Sequence, residues 1–220
     1  MSAIHFEVNG LYARITFQAE GKFNPRTLRD FGEALDQCLA HNEPRALILT
    51  GSGKNFSQGL DLAAMSTMEP SVSRAFVDDC MKALGRLLVF PMPVVSAVNG
   101  QAFGLGAMLV LASDYSVMRE DRGFFCLPEI DLGMGLIPSM NALVTRKMSR
   151  RAVRDLLLTG KRVGGREASE YGIVDTPAME QELLATAREL PRAMMGKDRK
   201  ALVELKTGIN SAILSECNSR

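Results

Sequence analysis

Ser96-Ala-Val-Asn-Gly-Gln-Ala-Phe-Gly-Leu-Gly-Ala-Met-Leu-Val-Leu-Ala-Ser-Asp114 is the stretch from which the fold can be read. It grows out of Pro93-Val-Val-Ser-Ala-Val98, an apolar run bounded by proline and glycine, which is the pattern of a fully buried strand. Asn99-Gly100 then signals a turn. Glycines stand at 100, 104 and 106, and from Leu105 onward the residues are good helix formers, nearly all apolar. The expected succession is strand, glycine-rich turn, buried helix. The first turn of a helix carries N–H groups with no intrahelical partner. The helix dipole adds partial positive charge at the same end. An anion would be stabilised there.

Three readings of that spot compete. A dinucleotide site needs a third glycine, but Leu109 stands in its place after Gly104-Leu-Gly106, and no acidic residue about twenty positions on ends a clear second strand. Tight helix–strand packing without a ligand is the second reading. The third is an oxyanion hole for a carbonyl that becomes an enolate. It requires a second N–H donor and a base from elsewhere in the chain.

Length and composition narrow the field. A chain of 220 residues with formal net charge +1 fits one ordinary domain with room for a small appendage. The charge balance suggests neither a nucleic acid nor a membrane surface as partner, and no apolar run is long enough to span a bilayer. Cys38, Cys80, Cys126 and Cys217 are scattered, with no CxxC pairing and no secretory signal, so they read as reduced and mostly buried thiols. His5 and His41 are the only histidines, both in surface contexts. Neither a histidine triad nor a metal site is expected. The N-terminus opens directly on a strand pattern and the C-terminus lacks Ser-Lys-Leu, which sets a cytoplasmic expectation.

In chain order, Ile4–Val8 and Leu11–Phe17 alternate around Asn9-Gly10, a hairpin signal. Asn24-Pro25 caps a helix over 26–40, with Leu28, Phe31, Leu35 and Leu39 at helical spacing. A short buried strand over 45–50 precedes the loop Gly51-Ser-Gly-Lys-Asn-Phe-Ser-Gln-Gly-Leu-Asp-Leu62. Its Gly53-Lys54 does not make a phosphate loop, because Asn55 replaces the required Ser or Thr. A loop is expected over 65–71, with Ser71 as cap of the following helix. Beyond the opening stretch come strands over 114–118 and 124–127, a loop over 128–138, helices over 139–147, 149–158 and 166–171, an extended piece over 173–175, and two last helices over 179–190 and 197–214. One α/β core with a helical C-terminal portion results. The division expected is 1–190 for the core and 191–220 for the C-terminal helical segment.

The second donor candidate lies in Phe56-Ser-Gln-Gly-Leu-Asp61, where Gly59 permits close backbone approach and Asp61 can cap a short turn. Alone, such a loop is an ordinary turn. Several segments occur together, in order and at matching spacing. They are Phe56-Ser-Gln-Gly-Leu-Asp-Leu62, Pro93 to Gly106, Ser113-Asp114, Pro128-Glu129, Leu158-Thr-Gly-Lys-Arg-Val163, Glu167-Ala168 and Gly172-Ile-Val-Asp175. This combination resembles the enoyl-CoA hydratase/isomerase (crotonase) family from about residue 3 to 175. The run from Ser113 through Asp131 is most similar to its enoyl-CoA δ-isomerase branch.

The resemblance implies a crotonase-like spiral of repeated β-β-α units closed by C-terminal helices, assembled as a homotrimer or a dimer of trimers. Apolar residues Leu183, Leu184, Leu202, Leu205 and Ile213 on the last helices fit such an assembly. It implies an acyl-CoA thioester as ligand in fatty acid β-oxidation, with coenzyme A belonging to the substrate and no separate cofactor. The family's oxyanion donors map to the backbone N–H groups of Leu60 and Leu105, and its CoA contacts to Gln58, Leu60, Asp61, Leu62 and Leu105. The basic residue often found just after that motif is replaced by Ala63, leaving the CoA phosphates without an assigned contact. Of the two glutamates that hydratases of the family carry, one position holds Met108 and the other Glu129. A more distant isomerase acid would fall at Ile137, which is apolar. Glu129 is therefore the expected catalytic acid/base. Isomerisation of 3-enoyl-CoA to trans-2-enoyl-CoA is the expected reaction, against a hydratase with a substituted acid or a non-catalytic CoA-binding subunit.

Overall fold

The structure, a computed structural model, describes residues 3–218. β1 (Ile4–Asn9) and β2 (Tyr12–Phe17) form the antiparallel hairpin, with Asn9 opposite Tyr12. The short β3 (Lys22–Phe23) leads into α1 (Pro25–Ala40). Asn24 starts that helix, its side-chain oxygen accepting from the N–H groups of Arg26 at 3.1 Å and Thr27 at 3.0 Å.

The chain then winds. β4 (Ala46–Gly51), β5 (Asn55–Ser57), β6 (Gly59–Leu60), α2 (Leu62–Met65) and α3 (Pro70–Leu88) make one turn. β7 (Val94–Val98), β8 (Gln101–Phe103) and α4 (Leu105–Ala112) make the next. β9 (Tyr115–Arg119), β10 (Phe125–Cys126) and α5 (Pro138–Lys147) make the third. Each turn lays one strand in a large sheet and one in a smaller sheet before its helix. The large sheet has the order β1-β2-β4-β7-β9 and then the last strand of the chain, and is parallel from β2 onward. The small sheet runs β10-β8-β5, and β3 pairs with β6 beside it. α6 (Arg150–Ala152), a π turn at Val153–Leu157, α7 (Gly165–Glu170), the last strand β11 (Thr176–Ala178), α8 (Leu183–Glu189) and α9 (Arg199–Asn218) complete the chain.

Buried strands show on which side each residue packs. Leu47 and Leu49 of β4, with Val94 and Val98 of β7, join the main core between sheet and helices. Ile48, Val95 and Ala97 face the other way, into a second cluster covered by Leu183 and Ala187 of α8. This two-sided burial is why these strands read as continuous apolar runs. All eight residues of α4 are buried, as a helix apolar on every side requires.

Several boundaries depart from the sequence reading. α3 begins at Pro70, preceded by Glu69, and not behind a Ser71 cap, because proline fits the first helical position. Part of the expected 65–71 loop is taken by α2. The extended piece expected at 173–175 is displaced to β11, whose Pro177 is tolerated because β11 is an edge strand. α8 is shorter than the expected 179–190. All four cysteines are free and buried. Among the described residues no helix is long and apolar enough to cross a membrane.

α9 is fastened to the core by polar groups as well as by Ile213 and Cys217. The Lys206 ammonium is buried and donates to the carbonyls of Phe90 at 3.0 Å and Met92 at 3.1 Å and to the Asp114 carboxylate at 2.5 Å. Burial holds the Lys206 pKa below its ordinary value, opposed by the neighbouring Asp114. Asn210 donates to Leu88 O at 3.2 Å on the next turn. Lys206→Met strands the Asp114 charge and should lower the unfolding free energy by about 3–5 kcal/mol. Combining it with Asp114→Asn should recover part of that loss, since no uncompensated charge remains. Equilibrium denaturation of the single and double variants measures both.

Candidate active site

β6 and the β8–α4 turn meet edge to edge, and glycine is what lets them. A side chain on Gly59 (φ +79°) would place its Cβ 2.5 Å from Phe103 O and 3.0 Å from Leu105 N. No larger residue can stand there without moving one backbone or the other. Gly104 precedes α4 at φ +51°, a conformation that L side chains rarely adopt. Together these positions bring Leu60 and Leu105 to one place.

Both residues offer N–H groups there. Leu105 is the first residue of α4, so its N–H has no intrahelical acceptor. In the parallel β3–β6 pair, the N–H of Asp61 donates to Phe23 O at 2.8 Å. Alternation along a strand then turns the N–H of Leu60 away from β3. Ser57 stiffens the approach, its hydroxyl donating to Gly21 O at 2.6 Å and accepting from Gly59 N at 3.1 Å. Asn99, read in the sequence only as a turn residue, accepts from Gly51 N at 2.8 Å and ties the ends of β4 and β7 together.

Above this point opens a cavity of about 380 Å³. Gln58, Leu60, Gly104, Leu105 and Glu129 line it around the two N–H groups. Its further walls are mostly apolar, built by Leu62 and Met65 of α2, Val77 of α3, Leu132, Met134 and Ile137 of the 128–137 loop, and Met140 of α5, with Ser73 and Arg74 of α3 as the polar exceptions. Gln58 is held in place by its own amide, which donates to Asn55 Oδ1 at 2.8 Å.

Glu129 is the carboxylate in the cavity wall. Its Oε1 lies 3.7 Å from where a Cβ on Gly104 would be, against the entrance to α4. Its Oε2 is buried and has no hydrogen-bond partner. Such an atom asks for an explanation. Burial pushes the Glu129 carboxyl above its ordinary value of 4.5, with its backbone N–H pulling weakly the other way. The compact turn that presents it is closed by Met134 N donating to Glu129 O at 2.9 Å.

Of the residues expected from the sequence, Gln58, Leu60, Leu62, Leu105 and Glu129 come together in this cavity. Asp61 lies beside it, and its carboxylate accepts from Ala64 N at 3.2 Å as cap of α2. Met108 is fully buried in the core and is not among the cavity-lining side chains, so it contributes no group to the site. The apolar walls from Met65, Val77, Leu132, Met134 and Met140 were not singled out by the sequence reading. The spacing of Pro70, Ser73, Arg74 and Val77 marks one face of α3, but nothing in the sequence says that this face looks into a cavity. Among the described residues there is no cluster of three or more His, Cys, Asp or Glu able to hold a metal.

Comparison with known proteins agrees with this geometry. The enoyl-CoA hydratase/isomerase family model matches residues 10–218. Peroxisomal enoyl-CoA delta isomerase 2 of Arabidopsis thaliana is 36% identical over 175 residues, covering 76% of this chain and 73% of the relative. Enoyl-CoA delta isomerase 3 of the same plant is 39% identical over 169 residues, covering 74% and 71%. Carnitinyl-CoA dehydratase of Escherichia coli K12 is 31% identical over 209 residues, covering 93% and 78%. Among solved structures, a Mycobacterium tuberculosis protein described both as an enoyl-CoA isomerase and as a probable enoyl-CoA hydratase superposes with a TM-score of 0.89 at 22% identity, covering 99% of this chain and 95% of that one. That likeness shows the fold, a crotonase-type spiral.

A raised Glu129 pKa has a consequence for stability. Below about pH 4 the carboxyl is protonated both folded and unfolded, and its burial costs little. As pH rises through the ordinary value toward the raised one, the unfolded chain ionises first and the folded state loses stability relative to it. Glu129→Gln removes that loss. The variant should be more stable than the wild type at neutral pH, with the difference closing toward about pH 4. Thermal or urea unfolding across that range tests it, and a wild type that is the more stable at neutral pH would count against a desolvated carboxylate.

Proposed function

We propose that this chain, which belongs to the enoyl-CoA hydratase/isomerase family, converts 3-enoyl-CoA to trans-2-enoyl-CoA with Glu129 as the single acid/base. The observation that carries this reading is the cavity's carboxylate inventory: among the described residues lining it, Glu129 is the only one. One of its oxygens, Oε2, is buried and unpartnered, and the other, Oε1, lies 3.7 Å from where a Cβ on Gly104 would be, at the entrance to α4.

The chemistry follows from those parts. Glu129 takes a proton from carbon 2 of the thioester. Charge moves onto the thioester oxygen, where the N–H groups of Leu60 and Leu105 and the positive end of α4 stabilise it. The double bond shifts between carbons 2 and 3, and Glu129 returns the proton at carbon 4. Burial raises the basicity of Glu129 toward the working pH, which serves both half-reactions. Gln58, Leu60, Leu62 and Leu105 are the proposed contacts for the CoA end of the substrate, with Asp61 fixing the turn that carries them.

Hydration of 2-enoyl-CoA is the competing reading, kept open by the carnitinyl-CoA dehydratase relatives. It needs a positioned water and a group to share the second proton. Met108 cannot supply that group, and a carboxylate introduced there would be buried in the core. A homotrimer, or a dimer of trimers, completes the proposal. Leu205 and Ile209 support it by standing one turn apart on α9, 66% and 78% exposed. Leu183 and Ile213, counted toward such a surface from the sequence, are buried in the chain's own core instead.

Purified protein should isomerise 3-enoyl-CoA faster than it hydrates 2-enoyl-CoA when both are assayed side by side, and Glu129→Gln should abolish turnover while acyl-CoA still binds. The reverse preference would defeat the isomerase reading. Full activity in the variant would defeat the choice of base. The acid limb of kcat/KM should lie above the ordinary carboxylate range, because only ionised Glu129 can start the reaction. Leu60→Pro deletes a donor and should cost about a hundredfold in kcat, while Leu60→Ala, which keeps it, should cost far less. Sedimentation as a clean monomer at micromolar concentration would remove the trimer from the proposal.

A further inference from the structure

One wall of the cavity does not match the rest. Pro70, Ser73, Arg74 and Val77 recur at the spacing of a single face of α3, and all four line the cavity. A helix face that only covered an aliphatic chain would be apolar throughout, as the opposing wall of Leu132, Met134, Ile137 and Met140 is. Here the middle of the face carries a hydroxyl and a guanidinium.

Arg74 also stands at a boundary. It and Ile137 line both this cavity and a smaller recess beyond it, which is formed by Asp78, Lys82, Pro138, Ser139, Glu216 and Cys217. In the proposed reaction the thioester oxygen sits at Leu60 and Leu105, which line the cavity but not the recess. Arg74 therefore marks the side of the cavity that adjoins the recess between α3, α5 and α9. Its carboxylate neighbour is Asp78, one helical turn on, at 3.5 Å with the Arg74 side chain 43% exposed. An exposed pair of this kind holds a guanidinium only weakly. The five N–H donors of arginine match a carboxylate in two-pronged geometry.

We propose that Arg74, with Ser73 beside it, recognises an anionic group at the far end of the acyl chain, so that the preferred substrates are mono-CoA esters of unsaturated dicarboxylic acids. The assignment deepens the isomerase reading and rests on the same cavity. A carboxylate at the chain end replaces Asp78 as the closer partner of Arg74. A cationic chain end meets like charge and is rejected. The aliphatic stem of Arg74 remains part of the wall whichever substrate is bound.

The test compares 3-enoyl-CoA esters that end in a methyl group with esters of equal length that end in a carboxylate, at six, eight and ten carbons. At one length or more the wild type should favour the carboxylate ester in kcat/KM by tenfold or more. Arg74→Gln should bring that ratio to about one, and Arg74→Lys should restore part of it. Saturated esters of both kinds, which cannot isomerise, provide a binding readout by calorimetry, and the same preference should appear there and vanish in Arg74→Gln. This arm separates the two claims: loss of turnover with retained carboxylate preference in binding would sink the isomerase reading and leave Arg74 standing. A methyl-ended preference at every length, or a carboxylate preference unchanged in Arg74→Gln, would overturn the role of Arg74.

Discussion

The approach of β6 to the β8–α4 turn is the constraint on which the site depends. Two backbones come together so closely that a Cβ on Gly59 would overlap Phe103 O. That approach fixes where the Leu60 N–H sits relative to the unpaired N–H of Leu105. Neither donor is a side chain, so neither can relax by changing rotamer, and both are in place before any substrate arrives. Preorganised dipoles of this sort stabilise a developing oxyanion without reorganisation during the reaction. The spiral, the buried α4 and the braces from Ser57 and Asn99 all serve to hold that one distance.

The carboxylate obeys a second constraint, and it opposes stability. Glu129 sits in an apolar wall with one oxygen unpartnered. A chain selected only for folding would hydrogen-bond that atom or expose it. The fold tolerates it because the surrounding turn is closed by its own backbone bonds and because α9, anchored through Lys206, packs on α3 and α5, whose residues line the cavity. In the proposed reaction, an uncomfortable base and a rigid oxyanion hole together make a weakly acidic C–H accessible to a carboxylate. Rate in such a site comes from matching the base to the working pH and from stabilising the enolate, with no second acid required.

Much of this was legible in the sequence. Ser96–Asp114 yields β7, β8 and α4 because strand, glycine turn and apolar helix each leave a local pattern, and the expected donors Leu60 and Leu105 do meet. Glu129 followed from motif order and not from any local signal, since a carboxylate after proline is ordinary in a loop. What stayed hidden depends on contacts distant in the chain. Lys206 and Asn210 carry no local signal in the sequence, yet they satisfy carbonyls of the α3–β7 segment more than a hundred residues away. The cavity face of α3 could not be told from its core face, because Ser73 and Arg74 look like solvent residues in sequence. Pro177 masked an edge strand. Met108 leaves no acid at that position, and its burial shows that it lies in the core and not in the cavity wall.

A label in the migrating proton tests the account most directly. If one carboxylate takes the proton from carbon 2 and returns it at carbon 4 while shielded from water, a 3-enoyl-CoA carrying deuterium at carbon 2 should transfer part of it to carbon 4 of the 2-enoyl product in a single turnover. Mass spectrometry and deuterium NMR of the product read this transfer. Deuterium at carbon 4 above the solvent background, absent in Glu129→Gln, is the predicted result. A product whose carbon 4 draws hydrogen only from solvent, with 3-hydroxyacyl-CoA formed alongside it, would contradict a single shuttling carboxylate.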